Sequence, residues 1–111
     1  MFEKWLIRIE KEKEKRRLEA QQRKDILPAF CTVFARYGVQ RAYIFGSVVH
    51  GVCLPGSDID LYVEEVSGEQ FWALRRDLEE VSAFPVDLHD QSDDPDFVAK
   101  IKKRGEIFYE A

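Results

Sequence analysis

Cysteine is scarce in this chain: two in 111 residues, Cys31 and Cys53, at no metal-ligand spacing and among apolar neighbours. That excludes a disulfide framework as the source of stability, and both are expected to be reduced small hydrophobes. Long apolar runs are also missing. No stretch approaches the roughly 20 residues a membrane helix needs, and the opening FEKWLIRIEKEKEK carries acids and lacks the apolar block of a secretory signal. A cytoplasmic location with no membrane partner is the expectation. Glycine and proline number only six and four, too few for a low-complexity linker, and no internal repeat is visible. At this length the chain reads as one domain with a single core.

A broad basic surface is lacking where chemistry is concentrated. Residues 1–41 hold eleven Lys and Arg against six Asp and Glu, whereas residues 42–111 hold six against fifteen, which together give the net charge of −4. An acidic half with no aromatics interleaved among arginines is a poor nucleic-acid surface, so direct nucleic-acid binding is not expected. The basic amino-terminal half suits an acidic partner.

What is present is strong patterning. Residues 1–38 read as an amino-terminal helical segment, interrupted near Pro28 and stopped at Gly38, ahead of a core over 39–111. Ile26, Leu27, Phe30, Val33, Phe34 and Tyr37 recur at helical spacing. Phe2, Trp5, Leu6 and Ile9 form an earlier stripe, separated from them by the charged run Lys11 to Arg17. An apolar stripe at the end of a solvated helix suits a partner protein or a second copy of the chain, hence a homo- or hetero-oligomer.

The stretch YIFGSVVHGVCLPGSDIDLYVE, from Tyr43 to Glu64, organises the rest. Ala42 to Phe45 reads as a strand ending in Gly46-Ser47, then a helical turn through Gly51 and a loop at Pro55-Gly56. Ile59, Leu61 and Val63 alternate with Asp58, Asp60 and Tyr62, the period of a half-buried strand, so both aspartates point to one face. Two neighbouring carboxylates repel unless a cation sits between them. Oxygen-only ligands suit magnesium, which takes one or two carboxylates and the phosphates of its substrate. Gly46-Ser47 can turn sharply and offer backbone N–H groups and a hydroxyl to those phosphates. An EF-hand does not fit, because Ile59 and Leu61 are apolar and no glycine follows at the required place.

Phe71, Trp72, Leu74, Leu78 and Val81 predict a helix starting near Ser67 and packing on the back of the sheet. Phe84, Val86 and Leu88 alternate with Pro85, Asp87 and His89, a second strand with Asp87 opposite its apolar set. Asp90, Asp93, Asp94 and Asp96 lie in a turn-rich stretch and read as caps rather than ligands. A last helix runs from Asp94-Pro95 to Gly105, and Ile107, Phe108 and Tyr109 read as a short tail.

The pattern of Gly46-Ser47, ten residues, then Asp58-Ile59-Asp60 resembles the signature of the polymerase-beta-like nucleotidyltransferase superfamily, and most closely its minimal nucleotidyltransferases. Asp87 fits that superfamily's third carboxylate, and the closing KRGEIFYEA resembles the end of many small members. The resemblance covers roughly residues 40–111. It implies an α/β (α+β) fold, a short mixed sheet flanked by helices, here with a long amino-terminal helix. It further implies transfer of AMP from ATP with two Mg2+ ions held by Asp58, Asp60 and Asp87, and the nucleotide held by Gly46, Ser47, Asp58 and Asp60. A stand-alone domain of this size resembles the antitoxin of a HEPN–MNT pair, whose partner is a helical HEPN ribonuclease toxin modified on a tyrosine. Alternatives are a small-molecule nucleotidyltransferase subunit acting on an aminoglycoside-like acceptor, and a non-catalytic antitoxin that masks its toxin. Many relatives carry an arginine soon after Gly-Ser, where this chain has Val48 and Val49. His50, Lys100 and Arg104 are the cations available to replace it.

Overall fold

The computed structural model describes residues 2–111, with elements α1 (Phe2–Lys24), α2 (Leu27–Tyr37), β1 (Arg41–Phe45), α3 (Ser47–His50), β2 (Ile59–Glu64), α4 (Gly68–Val81), β3 (Val86–His89), α5 (Pro95–Arg104) and β4 (Glu106–Glu110). The strands form one mixed sheet in the order β3-β2-β1-β4. β1 pairs antiparallel with β2 and β4, and β2 pairs parallel with β3.

Local chemistry sets the boundaries. The amino-terminal helical stretch breaks at Asp25-Ile26, and Pro28 sits in the first turn of α2, where its missing N–H costs nothing. Gly38 ends α2 at φ 68°, a left-handed conformation that glycine adopts without strain. Ser67 caps α4 by accepting from the Gln70 N–H.

The two sheet faces are covered differently. On one, Ala42, Ile44, Ile59, Leu61, Val63, Val86 and Leu88 meet Leu27, Phe30, Val33 and Phe34 of α2 and Leu74 and Leu78 of α4 in a single core. The α4 helix thus packs on the sheet as its periodicity predicts. On the other, Tyr43 and Tyr62 pack under Ile101 and Val98 of α5, with Phe45 beside them. Tyr62, which alternation assigns to the open face with the aspartates, is therefore buried. The carboxyl-terminal residues are also more than a tail: Glu106–Glu110 form an edge strand on β1. Five residues of mixed exposure at a sheet edge leave a weak periodic signal.

α1 is mostly solvated, and only Ala20 and Arg23 in it are buried. Its far end exposes Phe2, Trp5 and Leu6 of the expected stripe, the first at 70%, together with Ile7, whereas Ile9 is part-buried. Among the described residues no helix is long and apolar enough to cross a membrane.

Candidate active site

The parallel pairing of β2 with β3 sets Asp60 directly beside Asp87. Both lie on the α5 side of the sheet, since Asp60 shares its parity with buried Tyr62, and Asp87 with His89. β1 adds the third wall: Phe45 is the cross-strand partner of Asp60, so Gly46-Ser47 leave the sheet next to that carboxylate. Gly46 adopts φ 75° and ψ −145°. A Cβ there would collide with Asp60 Oδ2 as well as strain the backbone. The glycine is needed because the main chain must pass against the acid.

Asp58 is displaced from its expected place. β2 begins at Ile59, whose N–H donates to the Pro85 carbonyl at 2.8 Å. Asp58 therefore sits at the mouth of the preceding loop rather than in the ladder, though its charge still reaches Asp60. Burial, then Asp87, then Asp58 push the Asp60 carboxyl up from its ordinary 3.8 to about 6, against a smaller opposing effect from His89.

The arrangement suits a hard divalent cation in chemistry, as two touching carboxylates repel and oxygen donors match magnesium. Among the described residues, no group of three or more His, Cys, Asp or Glu side chains is arranged to hold a metal ion. The carboxylates that could hold such a cation are thus a close pair, Asp60 and Asp87, with Asp58 near it, and magnesium takes one or two carboxylates and completes its shell with substrate phosphates. Asp87 is half exposed and opens the site to solvent.

Ser47 begins α3, and Cys53 Sγ lies 3.5 Å from its hydroxyl. Cys53 is buried, and both cysteines are free. His50 and Lys100 are exposed, as is Arg104 in the last turn of α5.

His89 was visible in the pattern as a neighbour of Asp87 but not as a partner of it. Its Nε2 lies 3.1 Å from Asp87 Oδ2 and its Nδ1 3.1 Å from Asp93 Oδ2. The ring packs against Phe45 and Phe97, at centroid distances of 5.7 and 5.2 Å. Asp93, expected as a cap, is therefore held by a histidine instead. Asp90 does serve a turn, accepting from the Ser92 N–H and hydroxyl. Asp94 stands at the start of α5 without a side-chain capping bond.

Among the solved structures that share this fold are two toxin–antitoxin proteins. One is a toxin–antitoxin with AMP-PNP, 23% identical, with TM-score 0.64 over 72% of this chain and 69% of that one. The other is a mutant of the toxin–antitoxin MntA-HpeT, 20% identical, with TM-score 0.62 over the same shares. No curated protein matches the chain. The family model described as polymerase beta, nucleotidyltransferase matches residues 31–111, which hold Gly46, Ser47 and all three aspartates, and so the chain belongs to the polymerase beta nucleotidyltransferase family.

Proposed function

We propose that the protein is an antitoxin that transfers AMP from ATP to a tyrosine of a HEPN-type toxin. The observation that carries the chemistry is the Asp60–Asp87 pair beside the Gly46 turn in a chain of this family. Asp58, Asp60 and Asp87 would hold magnesium, which when bound offsets the triphosphate charge and lowers the pKa of an acceptor hydroxyl. Ser47 and the backbone after Gly46 hold the terminal phosphates. The acceptor oxygen bonds to the α-phosphorus as the bond to the departing pyrophosphate breaks, and Asp87, on the solvent-open side, takes the hydroxyl proton.

Three observations support a protein acceptor. Asp58 and Asp87 are exposed with Asp60 part-buried beside them, and a hollow of about 450 Å3 lies elsewhere, between α1 and Cys53–Pro55. Phe2, Trp5, Leu6 and Ile7 offer apolar surface beyond the catalytic domain. The relatives in fold are themselves toxin–antitoxin proteins, one of them with AMP-PNP. The test is incubation with labelled ATP, Mg2+ and a candidate HEPN partner. Label on a toxin tyrosine supports the reading. Toxin inhibition without label points to masking, and label on an aminoglycoside instead points to a small-molecule enzyme.

A further inference from the structure

Arg23 is a fully buried arginine, and it comes from outside the segment that matches the family. Its guanidinium has five N–H donors, and each has a partner. Nε donates to the Ser57 carbonyl at 3.1 Å, Nη2 to the carbonyls of Leu54 and Pro55 at 3.0 Å each, and Nη1 to the Glu19 carbonyl and to Glu19 Oε2 at 2.8 and 2.7 Å. Glu19 supplies the counter-charge. The guanidinium carbon also lies 4.0 Å from the centroid of the Phe84 ring, whose neighbour Pro85 accepts the first ladder bond of β2 from Ile59.

Arg23 thus grips both chain segments that lead into the carboxylate-bearing strands. On one side it holds the Leu54–Ser57 turn, closed by Ser57 N–H to the Leu54 carbonyl at 3.0 Å and Leu54 N–H to Ser57 Oγ at 2.8 Å. The next residue is Asp58. On the other it lies against Phe84, three residues before Asp87. Asp58 is outside the β ladder, so the sheet alone does not fix it, whereas the turn before it is tied by three carbonyls to one rigid, planar fork.

We propose that Arg23 is a positioning residue for the active site: α1 reaches in through it to hold the Leu54–Ser57 turn and thereby places Asp58 beside Asp60. The inference rests on the nucleotidyltransferase reading for what Asp58 does, and on geometry alone for how it is held. Anchoring of α1 is the rival role, and the two differ in what they do to Asp58.

The experiment compares wild type with Arg23→Lys, which keeps the charge but cannot span the acceptors, and with Glu19→Gln, which removes only the counter-charge. Tyr37→Phe serves as control, because it breaks the 2.5 Å tie from Tyr37 to Asp77 between α2 and α4, away from the turn. At a temperature where all are folded, amide exchange is read at Leu54, Ser57 and Ile59, and affinity for the magnesium complex of a non-hydrolysable ATP analogue is read by calorimetry. In Arg23→Lys exchange at those amides should rise by about tenfold, the scale of one lost buried hydrogen bond, and affinity should fall by a similar factor. Glu19→Gln should move both less, in the same direction, and it decides the matter if Arg23→Lys does not fold. Tyr37→Phe should melt earlier with both readouts unchanged. The proposal is overturned if folded Arg23→Lys matches wild type in both, or if Tyr37→Phe loses affinity equally. A wild-type protein that does not bind the analogue refutes the nucleotidyltransferase reading instead, and turn exchange then still decides whether Arg23 holds Asp58.

Discussion

Replacing Asp60 by asparagine should stabilise the protein above neutral pH and do so in a pH-dependent way. The carboxyl is pushed up from 3.8 to about 6, first by burial and then by Asp87 and Asp58. Because the folded value lies above the unfolded one, the stability associated with this group is fully present below about pH 4 and is lost as pH rises through about 6. At full strength the shift corresponds to about 3 kcal/mol, but the carboxyl still meets solvent, and screening reduces this to about 1–2 kcal/mol. Asparagine has nearly the same shape, fits beside Gly46 and carries no charge to penalise. Asp60→Asn should therefore melt about 5–10 °C above wild type near pH 8, as expected for a domain of this size, and the gap should close on titration to about pH 3.5. Thermal melts of both proteins across that range, with and without Mg2+, are the assay. Magnesium should raise the wild-type melting temperature at pH 8 through preferential binding to the folded state and do far less for the variant. A variant less stable than wild type at pH 8, or a gap that does not change with pH, would refute the argument that repulsion and burial strain this pair.

Asp87→Asn should leave much of the Mg2+-ATP affinity in place and lower turnover by about a hundredfold to ten-thousandfold, the range for a lost general base; loss of nucleotide binding as severe as in Asp60→Asn would contradict that division of roles. Gly46→Ala should destabilise by about 1–3 kcal/mol, because the alanine would be strained at φ 75° and its methyl would press on Asp60; a denaturant titration measures this, and an unchanged midpoint would show that the backbone does not need to approach the acid. Trp5→Ala combined with Leu6→Ala should weaken association with a toxin partner while sparing nucleotide binding. Sedimentation and affinity measurements identical to wild type would mean that the exposed end of α1 is not an interaction surface.

Much of the site is legible because its parts are local and periodic. The alternation in IDLYVE and VDLH puts Asp60 and Asp87 each opposite the apolar set of its own strand, the family resemblance makes those strands neighbours, and the glycine before Ser47 marks a backbone conformation other residues resist. Period two does not say where pairing starts, however, and the first ladder bond at Ile59 leaves Asp58 one residue short of the strand. Nor does it say which face another helix will cover. The apolar set Phe97, Val98 and Ile101 is plain in the sequence, yet only the three-dimensional packing shows that α5 buries Tyr62. Arg23 is least legible of all, because its acceptors in the Leu54–Ser57 turn lie more than thirty residues away and nothing distinguishes it from the charged residues around it.

The site depends most on the register of a short edge strand. β3 has only four residues, Val86–His89, and its pairing matches Ile59 with Val86 and Asp60 with Asp87. A slip of one residue would turn Asp87 to the core face and Val86 and Leu88 to solvent, so the apolar residues that build the core also set the spacing of the carboxylates. Ile59, Val86 and Leu88 are all buried, and burying side chains of this kind contributes about 1.5–3 kcal/mol each. That exceeds the whole discounted penalty on the Asp60 charge, about 1–2 kcal/mol, of which repulsion by Asp87 is only a part, behind burial. Hydrophobic packing on one face of the sheet can therefore hold two like charges together on the other, where the proposed phosphate-bound cation would need them.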